Sequence, residues 1–192
     1  MLTCSASKRW LALSILFAGY LPALSAVAND SPPSVQKIAN VSVLTQSNHP
    51  AHFYTDLIQG HLVAINFVFT GCSTVCPLMG VRFAALQKQL DAERLPAQLI
   101  SVSLDPANDT PQSLLEWSQK FGAKPGWTLV TGEKSDIDTL TASLGASTAD
   151  FTAHAPLIVI IDDRKPGAWR RLDGLADTDT IVKALHEVQD AK

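Results

Sequence analysis

The chain has 192 residues and a formal net charge of −3 at pH 7; 46% of its residues are hydrophobic and 17% are charged. This size and composition indicate one globular domain with a buried core and exclude a largely disordered chain. The chain has no basic cluster beyond its extreme N-terminus, which argues against nucleic acid as a partner.

The N-terminal segment has the pattern of an export signal. Lys8 and Arg9 precede the apolar run WLALSILFAGYLPAL, and Ala26 and Ala28 fit a small-x-small cleavage site. We therefore predict a cleaved signal peptide over residues 1–28. The alternative is an uncleaved anchor, although the run is shorter than the roughly 20 residues that a spanning helix needs. Either interpretation predicts export to the bacterial periplasm, with the mature protein soluble or tethered to the inner membrane.

A polar, proline-bearing lead over residues 29–39 precedes a single domain over residues 40–192 in which strands and helices alternate. Continuous apolar runs rich in β-branched residues are typical of strands buried on both faces. The predicted strands are HLVAINFVF (61–69), AQLISVSLD (97–105), WTLVTG (127–132) and APLIVIIDD (155–163), which a turn joins to AWRRLDGL (168–175).

Helical periodicity and capping residues predict four helices between and after these strands. They cover residues 76–93, 109–122, 134–145 and 177–191. The first has an apolar stripe of Leu78, Phe83, Leu86 and Leu90. Asp109 or Thr110 is the expected N-cap of the second helix, and Ser135 that of the third.

This alternation predicts an α/β fold, a thioredoxin-like three-layer sandwich with a mainly parallel central sheet. Ligand sites in such sheets lie beyond the carboxyl ends of the strands, near helix N-termini. Cys72 lies at such a place, between the first buried strand and its helix. The partial positive charge of a helix N-terminus favours a thiolate there.

The cysteines form a pair once the signal peptide is removed. Cys4 lies in the signal segment, and Cys72 and Cys76 remain in a chain sent to an oxidising compartment. If residues 72–76 were helical, both side chains would share a face and could form a disulfide. Two thiolates on one face are also a soft clamp for Cu(I) or Zn(II). Spacing alone leaves a disulfide, a redox pair and a metal site open.

Five histidines could supply a further metal ligand. Four lie in loops or beside charged residues and are interpreted as solvated side chains: His49, His52, His61 and His186. His154 differs because it lies at the entry to the fourth strand, in FTAHAPLIVIID.

Three segments in this order resemble the Sco/SenC family, exported thioredoxin-fold proteins linked to copper delivery to cytochrome c oxidase. They are FVFTGCSTVCP, SVSLDPANDTP, and FTAHAPLIVIIDD followed by RRLDGL. Any one of these motifs is weak, but the ordered triple is specific. The resemblance extends from about residue 40 to the C-terminus.

The resemblance implies that Cys72, Cys76 and His154 bind copper. Two thiolates and an imidazole suit three-coordinate Cu(I) and can adapt to Cu(II) with a further ligand. Asp105 and Asp109 match an acidic pair of the family. A turn residue and a helix cap would explain these two carboxylates, and we do not predict them to be ligands.

Two functions of different classes follow. The first is a metallochaperone that hands copper to the Cu-A site of a terminal oxidase; its partner is the copper-bearing subunit or another copper or thiol protein. The second is a thiol–disulfide oxidoreductase in which Cys72 attacks and Cys76 resolves. A peroxidase-like role is a third use of the same fold. His154 discriminates the first two, because only a copper site needs the imidazole. The oligomeric state stays open.

Overall fold

A buried run of seven residues, Leu62–Val68, forms an inner strand of the sheet in a computed structural model. The structure describes residues 38–148, 150–153, 155–165 and 167–191. The predicted signal peptide and the lead as far as residue 37 lie outside the described residues.

Seven described strands form one sheet in the order β2-β1-β5-β4-β3-β6-β7. The strands are β1 (Ser42–Thr45), β2 (Pro50–His52), β3 (Leu62–Val68), β4 (Ala97–Ser103), β5 (Trp127–Thr131), β6 (Leu157–Asp162) and β7 (Trp169–Asp173). All seven residues of β3 are buried, as expected of a strand covered on both faces.

The sheet is mixed, with parallel strands at its centre. β4 pairs in parallel with β3 and with β5. The other four pairings between described strands are antiparallel, at both sides of this centre. The α/β sandwich is confirmed, but the sheet is not mainly parallel. Short turns cause part of the difference, because the connections from β1 to β2 and from β6 to β7 are too short for a parallel crossover.

Four helices complete the sandwich. They are α1 (Cys76–Glu93), α2 (Pro111–Lys120), α3 (Lys134–Ser143) and α4 (Thr178–Asp190). Apolar residues of α1, α2 and α4 pack on one face of the sheet. The opposite face is covered by α3 and by a short π-helical segment, Phe53–Ile58. No helix in the described part of the chain has the length and apolar character to cross a membrane.

Some of the predicted helix starts are confirmed and others are wrong. Helix α1 covers the predicted residues 76–93. Thr110 caps α2, because its hydroxyl accepts the amide of Ser113 at 3.1 Å, and Asp109 is not the cap. The expected cap Ser135 lies inside α3, which follows Glu133 without a side-chain cap.

The buried stripe of α1 is shifted by one residue at its start. Phe83, Leu86 and Leu90 are buried as predicted, but Leu78 is 44% exposed and Met79 is buried in its place. Successive side chains of a helix point about 100° apart, so Met79 points into the core where Leu78, one residue earlier, points toward solvent.

The parallel pairing of β3 with β4 determines where the functional segments meet. Both strands end at the same edge of the sheet, after Val68 and Ser103. The segment that carries Cys72 and the segment that carries Asp109 therefore leave the sheet side by side.

Candidate functional site

The two cysteines lie on either side of the start of α1. Cys76 is the first residue of the helix and Pro77 the second, a position where the missing amide hydrogen of proline does no harm. Cys72 lies in the preceding loop and not on the helix. The two side chains therefore do not share a helical face.

A hydrogen bond across the helix start joins the two residues. The Cys72 Sγ accepts the backbone amide of Cys76 at 3.3 Å and lies 3.7 Å from the hydroxyl of Thr74. Cys72 is half-buried, whereas Cys76 is fully buried. The Cys72 sulfur thus occupies the helix N-terminus, where the helix dipole and the amide stabilise a thiolate.

These surroundings shift the two thiols in opposite directions. Burial raises the pKa of Cys72, but hydrogen bonds from Cys76 and Thr74 outweigh it, and the net pKa lies below its ordinary value. Burial, the hydrogen bond to Cys72 and negative charge on Cys72 and Asp109 raise the pKa of Cys76 to about 12. The reduced site can therefore hold an anionic and a protonated sulfur together.

Asp109 fixes the cysteine segment to the neighbouring strand. Asp109 is 2% exposed, and its carboxylate accepts the amide and the hydroxyl of Thr70 at 3.1 and 2.6 Å. The hydroxyl of Ser103, at the end of β4, donates to the same carboxylate at 2.6 Å. The interpretation of Asp109 as a helix cap is wrong. A brace of this kind has no local sequence signature, because Thr70 is distant in the chain.

Asp105 is a turn residue, as the sequence suggests. Its carboxylate accepts the side-chain amide of Asn108 at 2.9 and 3.0 Å, and its carbonyl accepts the amide of Asp109. These hydrogen bonds hold the turn between β4 and α2.

His154, the predicted third ligand, lies outside the described residues. In the described part of the chain, no group of three or more His, Cys, Asp and Glu side chains could hold a metal ion. Of the four histidines predicted to be solvated, His49, His52 and His186 are exposed, and His186 contacts Glu93 at 3.0 Å. His61, directly before β3, is half-buried.

The residues just before His154 contact the cysteine segment. A short 3-10 turn, Phe151–Ala153, begins with a phenylalanine whose ring meets that of Phe69 edge-to-face, with centroids 5.1 Å apart. Phe69 lies three residues before Cys72, and Phe151 three residues before His154. Sequence reasoning missed this pair. Its signal is a phenylalanine three residues before Cys72 and another three residues before His154.

Curated relatives resemble the chain over part of their length. A SCO1 protein homolog of Bacillus subtilis strain 168 is 35% identical over 83 residues, which cover 42% of this chain and 43% of that protein. Across the curated relatives that it matches, the chain spans about half of their length, 42–54%.

Solved structures show the same fold over most of the chain. BsSco, a member of the Sco family of cytochrome c oxidase assembly proteins in which a disulfide switch was identified, matches with a TM-score of 0.68 at 24% identity. That match covers 81% of this chain and 94% of BsSco. Yeast Sco1 with copper bound matches with a TM-score of 0.66 at 17% identity, over 81% of this chain and 94% of that one.

These likenesses confirm the thioredoxin-like fold that the sequence predicts. The predicted resemblance is also confirmed at the level of the whole domain. A sequence model of the SCO1/SenC family matches residues 43–188, and the protein therefore belongs to the SCO1/SenC family.

Proposed function

We propose that the protein is an exported copper chaperone that binds copper through Cys72, Cys76 and His154 and delivers it to the Cu-A site of cytochrome c oxidase. The observation that carries the proposal is the cysteine pair at the start of α1, in which the Cys72 sulfur accepts the Cys76 amide, in a chain of the SCO1/SenC family. Copper-bound yeast Sco1, which has the same fold, supports the choice of metal.

The donor set suits copper. Two sulfurs are soft ligands, and Cu(I) prefers soft ligands and low coordination numbers. Cys72, with its lowered pKa, is the sulfur that loses its proton more readily. Cys76 keeps its proton in the free protein, so binding through both sulfurs must release that proton. Copper affinity therefore rises with pH across the neutral range.

The loop that leads to His154 supports the third ligand. Phe151 contacts Phe69 in the cysteine segment, and the amide of Gly174 donates to the carbonyl of Pro156 at 3.0 Å on the other side of the histidine. The described residues before position 154 therefore contact the cysteine segment, and those after it are bound to the end of β7.

Cu(I) titration of the reduced protein tests this ligand set. We expect one equivalent of Cu(I) to bind, as measured by competition with a chromophoric Cu(I) chelator. Cys72→Ala and Cys76→Ala should abolish stoichiometric binding, and His154→Ala should weaken it by at least tenfold. His186→Ala is the matched control, since His186 contacts Glu93 on the far part of α1, and should bind like the wild type. Unchanged affinity in His154→Ala would exclude the three-ligand site.

Export and delivery need tests in cells. We propose a signal peptide over residues 1–28, a lead over 29–39 and the copper-binding domain over 40–192, with the mature protein in the periplasm, soluble or tethered. Mass spectrometry of the purified native protein should find an N-terminus after Ala28. In a strain that lacks the protein, cytochrome c oxidase activity should fall and should be restored by wild type but not by His154→Ala. Normal oxidase activity in that strain would contradict Cu-A delivery.

A thiol–disulfide oxidoreductase is the second candidate, and the opposite pKa shifts of the cysteines favour it. The half-buried Cys72 would attack a disulfide as the thiolate, and Cys76 would then resolve the mixed disulfide. His154→Ala separates the two functions, because it should remove copper binding and leave exchange with oxidised glutathione intact. If that variant retains full function in cells, the oxidoreductase is the better assignment.

A further inference from the structure

We propose that a crevice between the loops that follow β4 and β5 binds a small organic ammonium ion, a primary amine on a short alkyl chain. None of the residues that line the crevice is a proposed copper ligand. The inference therefore goes beyond the proposed copper function and does not depend on it.

The topology of the sheet creates the crevice. β4 and β5 are parallel neighbours, so both strands end at the same edge of the sheet. The chain after β4 leads to α2 on one face, and the chain after β5 leads to α3 on the opposite face. Loops that diverge to opposite faces leave a crevice at the carboxyl ends of the strands, which is where open α/β sheets bind ligands.

A cavity of about 300 Å³ lies at this place. Its volume is at the lower end of the range for small-molecule sites. The hairpin of β1 and β2 contributes Val43, Leu44 and Pro50 to its wall, and the segment from β4 into α2 contributes Pro106 and Pro111. Much of the wall is therefore apolar, which favours a ligand with an alkyl portion.

A buried hydroxyl in the wall indicates that the ligand also has a polar group. Thr131, the last residue of β5, is 3% exposed and lines the cavity. Its Oγ1 atom is buried and has no hydrogen-bond partner among the described residues. A buried hydroxyl without a partner is costly, and a ligand that donates a hydrogen bond to it would remove that cost.

The charge of the crevice favours a cation. Its described lining residues include the acids Asp109, Glu133 and Asp136 and no Lys, Arg or His. The ion pairs between described residues leave Glu133 and Asp136 without a cationic partner. The N-termini of α2 and α3 contribute about half a positive charge each, which is less than the three carboxylates supply. The net charge at the crevice is therefore negative.

These acids do not form a metal site. No group of three or more His, Cys, Asp and Glu side chains that could hold a metal ion occurs in the part of the chain that the structure describes. Asp109 is also engaged by the hydroxyls of Thr70 and Ser103. A primary ammonium has three N–H donors, and its alkyl chain can occupy the apolar part of the cavity, so it fits this arrangement better than a bare metal ion.

Titration of the metal-free protein with n-hexylamine, followed by amide chemical shifts in NMR spectra, tests the proposal. The probe is cationic at neutral pH and should shift the amides of Gly132 and Glu133 with a Kd on the order of 1 mM. n-Hexanol and hexanoate keep the chain but remove or reverse the charge, and both should bind at least about tenfold more weakly. Added salt should weaken the binding of hexylammonium. Equal binding of hexanol, or unchanged shifts at the crevice, would overturn the proposal.

Asp136→Asn tests the charge contact, and Asp138→Asn is its matched control. Asp136 lines the crevice, whereas Asp138 lies on the same helix and contacts Lys134 at 2.6 Å. We expect Asp136→Asn to weaken hexylammonium binding by about threefold to tenfold and to leave hexanol binding unchanged. Asp138→Asn should bind like the wild type. Equal losses in the two variants would contradict a charge contact at the crevice, as would a loss of hexanol binding in Asp136→Asn.

Thr131→Val and Thr131→Ser test the buried hydroxyl. Valine keeps the shape of threonine without the hydroxyl, and should weaken hexylammonium binding by about threefold to tenfold. Serine keeps the hydroxyl and should bind the probe more tightly than valine does. Without ligand, Thr131→Val should be at least as stable in urea as the wild type, because it removes an unpartnered hydroxyl. A clear loss of stability would overturn the assignment of this hydroxyl to a ligand.

A capped lysine, Nα-acetyl-lysine methylamide, distinguishes a free amine from a protein partner. Its side chain ends in the same ammonium group, but its backbone atoms add bulk at the other end of the chain. We expect hexylammonium to bind more tightly than the capped lysine. The reverse order would overturn a free amine as the ligand and would assign the crevice to a lysine side chain of a partner protein.

Discussion

Cys72 and Cys76 have the same side chain, but their surroundings give them different roles. Cys72 accepts hydrogen bonds at a helix N-terminus, whereas Cys76 is buried and its thiol donates a hydrogen bond to the Cys72 sulfur. The negative charge of the reduced pair therefore resides on the more accessible sulfur. That sulfur meets an incoming metal ion or disulfide first.

The pH dependence of alkylation tests this difference. Because the thiolate is the reactive form, the lowered pKa of Cys72 should move half-maximal alkylation by iodoacetamide to lower pH than for an unperturbed thiol. Cys76→Ala removes a hydrogen bond that lowers the pKa, so half-maximal alkylation should move to higher pH. Cys76→Ser keeps a donor and should move it less. A midpoint that does not respond to Cys76→Ala would contradict the proposed cause.

Asp109 shows how one buried carboxylate can connect two loops. Asp109→Ala would leave the Thr70 amide and the Thr70 and Ser103 hydroxyls without their acceptor, and we expect a loss of about 3 kcal/mol in unfolding free energy. Asp109→Asn keeps one acceptor oxygen and should lose less. Urea denaturation provides the measurement, with Asp105→Ala as the control for a turn carboxylate. If the two alanine variants were equally stable, the brace would be unimportant.

At the scale of elements, the sequence predicts strands and helices well where local patterns are strong. Helix α1 begins at Cys76 because Pro77 suits its first turn, and its limits agree with the prediction. Strands β1 and β2 have four and three residues, too few for an alternating pattern, and were not predicted. The antiparallel orientation of β6 against β3 could not be predicted from the sequence either, since the tertiary fold determines which strands pair.

The candidate site can likewise be predicted only where a local sequence pattern is involved. The spacing of Cys72 and Cys76 indicates thiol or metal chemistry. Position sets His154 apart from the other histidines, but only the family resemblance made it a predicted ligand. Asp109 and Phe151 make contacts with residues far away in the chain. A local pattern cannot distinguish an aspartate that caps a helix from one that braces a loop.

Gly174 links the end of β7 to the loop that carries His154, and a substitution there tests the arrangement. A Cβ atom at this position would lie 2.6 Å from the Cβ of Pro156 and 2.7 Å from the amide nitrogen of Leu157. Since backbone atoms must move to relieve this, Gly174→Ala should lower the free energy of unfolding by about 1–3 kcal/mol. Urea denaturation is the measurement.

Gly71→Ala is the control for the loss of a glycine near the site. The nearest atom to its added Cβ would be a Phe69 ring carbon at 3.9 Å, an ordinary contact, and we expect a change within about 0.5 kcal/mol. A Gly174→Ala protein as stable as Gly71→Ala would show that β7 and the loop can separate without cost.

At the scale of the whole molecule, the proposed copper site is a product of the fold. One segment follows β3, a second follows β4 and braces the first, and a third precedes β6 and contacts the first through a ring. The mixed sheet brings these three segments to the same region although they are distant in sequence. A site assembled in this way should bind copper only in the folded, reduced protein.

X-ray absorption at the copper edge of the Cu(I)-loaded, reduced protein tests the central claim most directly, because it counts the sulfur and nitrogen neighbours of the metal. We expect two sulfur neighbours and one imidazole nitrogen in the wild type, and loss of the imidazole signal in His154→Ala. An unchanged copper environment in His154→Ala, or a wild-type site without a nitrogen neighbour, would contradict the proposed ligand set.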